Sequence, residues 1–221
     1  MAQDFITPIA LSLATATTAT LLAFILALYL AWWRVGARGP AWAWVDGLLI
    51  VPIALPPTVV GLGLLIVFGR QSPIGGFLEM LGIRLLFSWQ ATVLAAATVS
   101  FPLMYQSIRA AFRAVDSGLA DTARLFGYGG HRLLWQIYLP LAWPGVTAGI
   151  VLTFMRALGE FGATLMIAGN IPGVTRTAPI ALYFSVEAGR IGYALALAGV
   201  ITLISIGVLI VVSYLNRLRS R

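Results

Sequence analysis

The sequence predicts an all-α fold, an integral membrane helical bundle of five spans forming a single unit over residues 1–221. Three observations carry that expectation. The composition is 60% hydrophobic and 10% charged, with mean hydropathy +0.96, more apolar surface than a soluble domain of this size needs. Apolar runs of about 20 residues, the length a helix requires to cross the hydrocarbon layer, recur along the chain. The arginines lie singly between those runs and do not gather on one face, which argues against a nucleic-acid partner.

The runs are 6–33, 46–69, 89–112, 141–168 and 191–215, with six spans as the rival count. The first is too long for a signal-peptide core and lacks a basic start, so it is expected to remain as a span. The second reads VPIALPPTVVGLG and the third contains SFPLM. Their prolines each remove a backbone hydrogen bond and kink the helix, which lipid tolerates only where neighbouring helices or a water-filled cavity satisfy the freed carbonyl. Pro56, Pro57 and Thr58, with Ser100 and Pro102, are therefore candidates to line a pathway, against the plainer reading of structural kinks. The fourth run carries Arg156 and Glu160, four residues apart and expected on one helix face. Ionisable groups inside a membrane pair or line a path, so the two are either a gate or an ion pair that fixes packing. TAPIALYFSV, 177–186, is too short to span and reads as a surface or re-entrant helix. Small residues crowd the spans, as in ATATTAT at 14–20 and at Gly145 and Gly149, and mark helix-packing faces.

An odd number of spans puts the termini on opposite sides, and the arginines choose between them. With the C-terminus cytoplasmic, Arg34, Arg38, Arg109, Arg113, Arg124, Arg132, Arg217, Arg219 and Arg221 lie inside, Arg70, Arg84, Arg176 and Arg190 outside, and Arg156 within a span. Nine against four favours that orientation, with the N-terminus outside a cell (inner) membrane. Six tryptophans, including Trp32, Trp33, Trp42 and Trp44, then fall near the inner interface, where amphipathic rings prefer to sit. There is no cysteine, and the lone His131 builds no metal site by itself; no metal, cofactor or catalytic residue is expected in this chain. All fourteen basic residues are arginine. Without a lysine, the chain cannot hydrolyse ATP through a phosphate loop of the Walker type.

Between the third and fourth runs lies DSGLADTARLFGYGGHRLLWQIYLP, inside a loop of about 114–140. Asp116 or Ser117 can cap a short helix, Leu119, Ala123 and Phe126 are expected on one face, and Gly127 stands where a left-handed terminator is wanted. A second short helix, HRLLWQIYL, leads through Pro140 into the fourth span. Such a knob cannot bury its own apolar face, so a partner must cover it.

The spacing Asp121-Thr122-Ala123, three residues, Gly127, nine residues, Ile137, one residue, Leu139-Pro140 resembles the EAA loop of permease subunits from bacterial ABC importers. The match departs at Asp121, where that family usually has Glu, and at Thr122, where it has Ala. VPIALPPTVVG, RALGEFGAT and NIPGVTRTAPIALY, with the stretch 72–104, are similar to the permeases of molybdate importers; sulfate/thiosulfate permeases are the alternative, especially around GEFG. The resemblance implies the type I importer fold, with a cytoplasmic coupling helix over the loop. It further implies a homodimer that passes molybdate, with tungstate as a related cargo, inward. Its partners would be a cytoplasmic ABC ATPase dimer holding ATP and magnesium and a periplasmic or extracellular molybdate-binding protein, which Asn170 and Arg176 would face. A secondary transporter would want midplane coupling carboxylates and inverted repeats, a channel a filter or charged ring, and neither is evident.

Overall fold

A computed structural model describes residues 2–37, 39 and 41–219, and every regular element among them is helical. In chain order these are α1 (Ala2–Val35), α2 (Ala41–Ala54), α3 (Pro57–Phe68), α4 (Pro73–Met80), α5 (Trp89–Arg113), α6 (Ser117–Leu125) and α7 (Gly130–Leu133). A π-helical turn, Leu134–Tyr138, follows, and then α8 (Leu139–Leu158), α9 (Gly162–Ala168), α10 (Ala178–Glu187) and α11 (Ile191–Arg219).

Side-chain contacts fix the direction of each traverse. Thr15 meets Thr92 through their hydroxyls at 3.0 Å, while further along Ala27, Leu28 and Ala31 share a core with Met104, Ile108 and Phe112. Helices α1 and α5 therefore run parallel, and the chain between them must return. α8 is antiparallel to both, since Gly145 faces Ala111 and Leu158 packs with Val93 and Ala16. α11 is parallel to α1, with Leu197 beside Ile9 and Ile201 beside Leu13. One end of the bundle thus carries Phe5, the 169–177 loop and the start of α11; we term it the near end. The far end carries Arg34, the start of α2 and the 114–140 loop.

The expected second span, 46–69, is not one helix. α2 and α3 meet at 113° across Leu55 and Pro56. The cause is local: a residue before proline is pushed out of the helical region, and with Pro56 and Pro57 adjacent both Leu55 and Pro56 are so affected. Pro56 adopts φ −54° and ψ 135°, and α3 restarts with Pro57 in its first turn, where the missing N–H is harmless. At about 21 and 18 Å, neither half crosses a bilayer alone. Together they carry the chain from Asp46, level with Tyr105, to Val60, level with Ala95 and Val99. The count of five traverses is kept, four straight and one bent.

Three further expectations are revised. The fourth run, 141–168, is interrupted: α8 stops at Leu158 and α9 starts at Gly162, so Glu160 lies in the break and shares no helix face with Arg156. HRLLWQIYL is not a separate helix, because α7, the π turn and α8 form one continuous helix from Gly130 to Leu158. A wider turn just before Pro140 accommodates a residue that cannot donate to the ladder. Pro102 does not interrupt its helix, since α5 runs through it unbroken. The short segment near 177–186 is the ten-residue α10, as its length required.

Close helix contacts rest on small residues. A Cβ at Gly145 would lie 2.6 Å from Ala111 Cβ, and one at Gly149 2.7 Å from Ser107 Cβ, so larger residues would push α8 off α5.

Candidate functional site

At the far end, α6 is capped by Asp116, whose carboxylate accepts from the Gly118 N–H at 2.8 Å. It ends in a Schellman arrangement: the Tyr128 N–H donates to the Ala123 carbonyl and the Gly127 N–H to the Arg124 carbonyl, both at 3.0 Å. Gly127 sits at φ +84°, the left-handed conformation its place in the sequence called for. The apolar face is left uncovered at Leu119 and Phe126, as expected, but Ala123 does not share it. Ala120 and Ala123 turn inward, whereas Leu119, Leu125 and Phe126 face outward at 54%, 88% and 80% exposure. A nine-residue helix cannot bury both sides, and the small side is the one its own chain covers. Asp121 pairs with Arg124 at 2.6 Å on the surface, beside the exposed Thr122. Leu139 is buried, Ile137 packs partly against the same core, and Pro140 is exposed. The knob is therefore a rigid turn with an uncovered apolar rim, mounted on α8.

At the other end of that continuous helix stand Arg156 and Glu160. Arg156 Nη1 lies 2.8 Å from Glu160 Oε2, and Glu160 Oε1 accepts from the Ala163 N–H at 2.8 Å. The buried carboxylate thus caps the first turn of α9 while it holds the arginine. α9 is pressed onto α3: a Cβ at Gly162 would stand 3.2 Å from Thr58 Cγ2 and 3.3 Å from Pro57 Cβ, and one at Gly61 2.8 Å from Ala163 Cα. The structure therefore brings Pro57 and Thr58, beside the bend at Pro56, against the break that holds Glu160. Ser100 and Pro102 lie apart from that group. Both are buried within the bundle, and Ser100 Oγ donates to the Ala96 carbonyl at 2.7 Å.

In the 169–177 loop, Arg176 Nε donates to Asn170 Oδ1 at 2.6 Å. The loop is tightly bonded, with the N–H groups of Val174, Thr175 and Arg176 all directed to the Ile171 carbonyl.

One constellation had no counterpart in the sequence reading. Asp46, on α2, is buried and receives three donors at the far end. Arg34 Nε from α1 lies at 3.3 Å and Arg109 Nη2 from α5 at 2.5 Å, both on Oδ2, while the Tyr105 hydroxyl donates to Oδ1 at 2.6 Å. Arg34 also lies over the Trp42 ring and donates to the Ala37 carbonyl. The available signal was a single acid in AWAWVDGLLI, placed between helix ends that carry Arg34 and Arg109. The contact needs three non-consecutive helices, so spacing alone does not reveal it.

Residues 19–221 match the family model described as binding-protein-dependent transport system inner membrane component. The chain is 45% identical over 178 residues to the molybdenum transport system permease protein ModB of Escherichia coli K12, covering 80% of this chain and 78% of the relative. It is 33% identical over 210 residues to the ModB of Azotobacter vinelandii, covering 95% and 93%. Among solved structures, a chain of the inward-facing MetNI methionine ABC transporter superposes with a TM-score of 0.75 at 14% identity, covering 98% of this chain and 96% of that one.

Proposed function

We propose a function that starts from membership: the chain belongs to the family of inner membrane components of binding-protein-dependent transport systems, and it is the permease subunit of an ABC importer for molybdate. The observation that carries the substrate is the shared name of relatives aligned over most of both chains, at 33–45% identity. Energy comes from outside the chain, from an ATPase pair that binds ATP and magnesium. The exposed rim of Leu119, Leu125 and Phe126 is the surface for that ATPase to cover.

The geometry supports a mechanical role. The knob that meets the ATPase leads into a continuous helix of 29 residues, Gly130–Leu158, a rod of about 44 Å. Its distal end carries Arg156, tied to Glu160 in the break before α9, and α9 leans on α3 beside the Pro56 bend. Displacement of the knob moves the rod, and the two non-helical breaks, at 55–56 and 159–161, are where the backbone can absorb the change. Glu160 and Arg156 form the inner wall of the gate in this reading, with Thr58 beside them. Two copies related by a two-fold axis place one knob over each ATPase and complete the conduit. The far end, with its excess of arginine, faces the cytoplasm, and the near end faces the binding protein.

The test is uptake of labelled molybdate by cells that carry this chain as their sole oxyanion permease, with its cognate ATPase and binding protein. Molybdate accumulation that a large excess of sulfate leaves intact supports the assignment. Accumulation of sulfate in preference to molybdate would replace it with the sulfate/thiosulfate reading.

A further inference from the structure

At the near end, a cavity of about 1010 Å³ opens between the start of α1, the 169–177 loop, α10 and the start of α11. Phe5, Asn170, Arg176, Ser185, Arg190 and Tyr193 are among its lining residues, and among the described lining residues none is acidic. Arg34, Arg70, Arg109, Arg124 and Arg156 each meet a carboxylate. Neither Arg176 nor Arg190 does so among the described residues, although Arg176 is half-buried. A partly buried cation without an opposite charge is costly to keep, yet Arg176 is held in place, and Arg190 beside it is exposed. The Asn170 carboxamide grips Arg176 Nε at 2.6 Å, leaving the two terminal nitrogens of the guanidinium to donate elsewhere. Arg190 lies over the Tyr193 ring at 5.7 Å, and its backbone N–H donates to the Ser185 carbonyl at 2.8 Å. The loop beneath is pre-formed as well: Thr175, fully buried, accepts from the Ile171 N–H at 3.0 Å, and Ser12 on α1 accepts from the Ala178 N–H at 2.7 Å. Two guanidinium groups that meet no carboxylate among the described residues, in one concave space, match what a tetrahedral dianion needs.

We propose that this cavity is a collecting site for a divalent tetrahedral oxyanion at the near end of the permease, with Arg176 and Arg190 as its donors. The inference rests on the proposed transport of an oxyanion and adds a place where the cargo pauses outside the gate. Its chemistry sets its character. Two cations in so large a space do not enclose a small anion, so binding is weak and does not discriminate molybdate from sulfate. That suits a conduit, which must let its passenger leave. A concave surface of one charge sign concentrates counter-ions and speeds their arrival, and the Arg156–Glu160 pair, already neutralised, offers no such attraction.

Arginine modification read site by site tests this. The complete transporter, in nanodiscs of phosphatidylcholine, is treated with phenylglyoxal in millimolar molybdate or sulfate, against chloride of matched ionic strength. Peptide mass spectrometry follows each arginine separately. Several-fold slower modification of Arg176 and Arg190 in both dianions, with Arg113 and Arg132 unchanged, is the expected result. Equal rates in all three anions, or equal slowing at Arg132, overturn the site. Protection by sulfate with none by molybdate overturns the unselective site, while the transport reading stands or falls on molybdate uptake by the same transporter, so the two readings fail separately. Protection of both arginines by anionic lipid without any added oxyanion assigns the cavity to a headgroup and overturns the proposal. R190Q is expected to abolish the protection at Arg176, and undiminished protection there would overturn the pairing of the two arginines in one site.

Discussion

Replacing Asp46 by Asn removes one negative charge from between two guanidinium groups and leaves the Tyr105 hydroxyl an acceptor. Arg34 and Arg109 have side chains only 15% and 17% exposed, so water screens little of the charge left behind. Breaking a buried ion pair from one side costs roughly 3–5 kcal/mol, because the remaining charge stays desolvated without a partner. Arg109→Met is different. It leaves Asp46 with Arg34 and with Tyr105, so the loss is nearer that of one charged hydrogen bond, about 1.5–3 kcal/mol. The order follows from the count of charges: one acid serves two bases, so losing the acid strands two groups and losing a base strands none. The assay is unfolding of the purified permease in mixed micelles titrated with SDS and followed by far-ultraviolet circular dichroism. Asp46→Asn should shift the midpoint further than Arg109→Met, and the double variant should lie between the two. An Arg109→Met shift equal to or larger than that of Asp46→Asn would refute the assignment of Asp46 as the shared anchor of α1, α2 and α5.

Gly127→Val is expected to lower uptake while the protein still inserts and assembles, because a β-branched residue at φ +84° carries a strain of roughly 1–3 kcal/mol and distorts the knob. Co-purification of the ATPase, measured with uptake, checks it; normal values of both would contradict it. Arg156→Met and Glu160→Gln should each impair transport more than the two combined, since the double change leaves no uncompensated charge, whereas either single change costs roughly 3–5 kcal/mol at full burial and less here because Arg156 is 30% exposed. A double variant no better than the worse single one would assign the residues separate roles. For orientation, Gln71→Cys should react with an impermeant maleimide in intact cells, and Arg132→Cys only after permeabilisation. The opposite pattern would invert the topology.

The spans were legible because lipid makes apolar length a direct readout of traverse, and the five runs all lie on five traverses of the bundle. Gly127 was legible for a local reason: helix termination needs a left-handed residue within a few positions, and the surrounding pattern says where. The breaks were less so. Pro56-Pro57 announced a kink, but neither its 113° angle nor the close packing of α9 on α3 at Gly61 and Gly162 has a signature in local spacing. Near Glu160 the sequence has no proline at all, and a carboxylate four residues after an arginine reads as a helical pair. The helix ends instead at Gly159, and Glu160 turns to cap the next one. On α6 the uncovered apolar face was legible in Leu119 and Phe126, which are exposed as a knob without a core of its own requires; Ala123, expected beside them, instead turns inward with Ala120, because small side chains fit against the bundle. Asp46 was missed since its partners come from α1 and α5, and no local pattern joins positions 34, 46, 105 and 109.

The most direct measurement is accumulation of labelled molybdate in proteoliposomes that contain this chain, its cognate ATPase and, outside, the binding protein. Accumulation that requires ATP, requires the binding protein and falls when Gly127 is replaced by Val is expected. Accumulation of molybdate by liposomes holding this chain without the ATPase, or its absence when all components are present and hydrolysing ATP, would contradict the assignment of this chain as the molybdate permease.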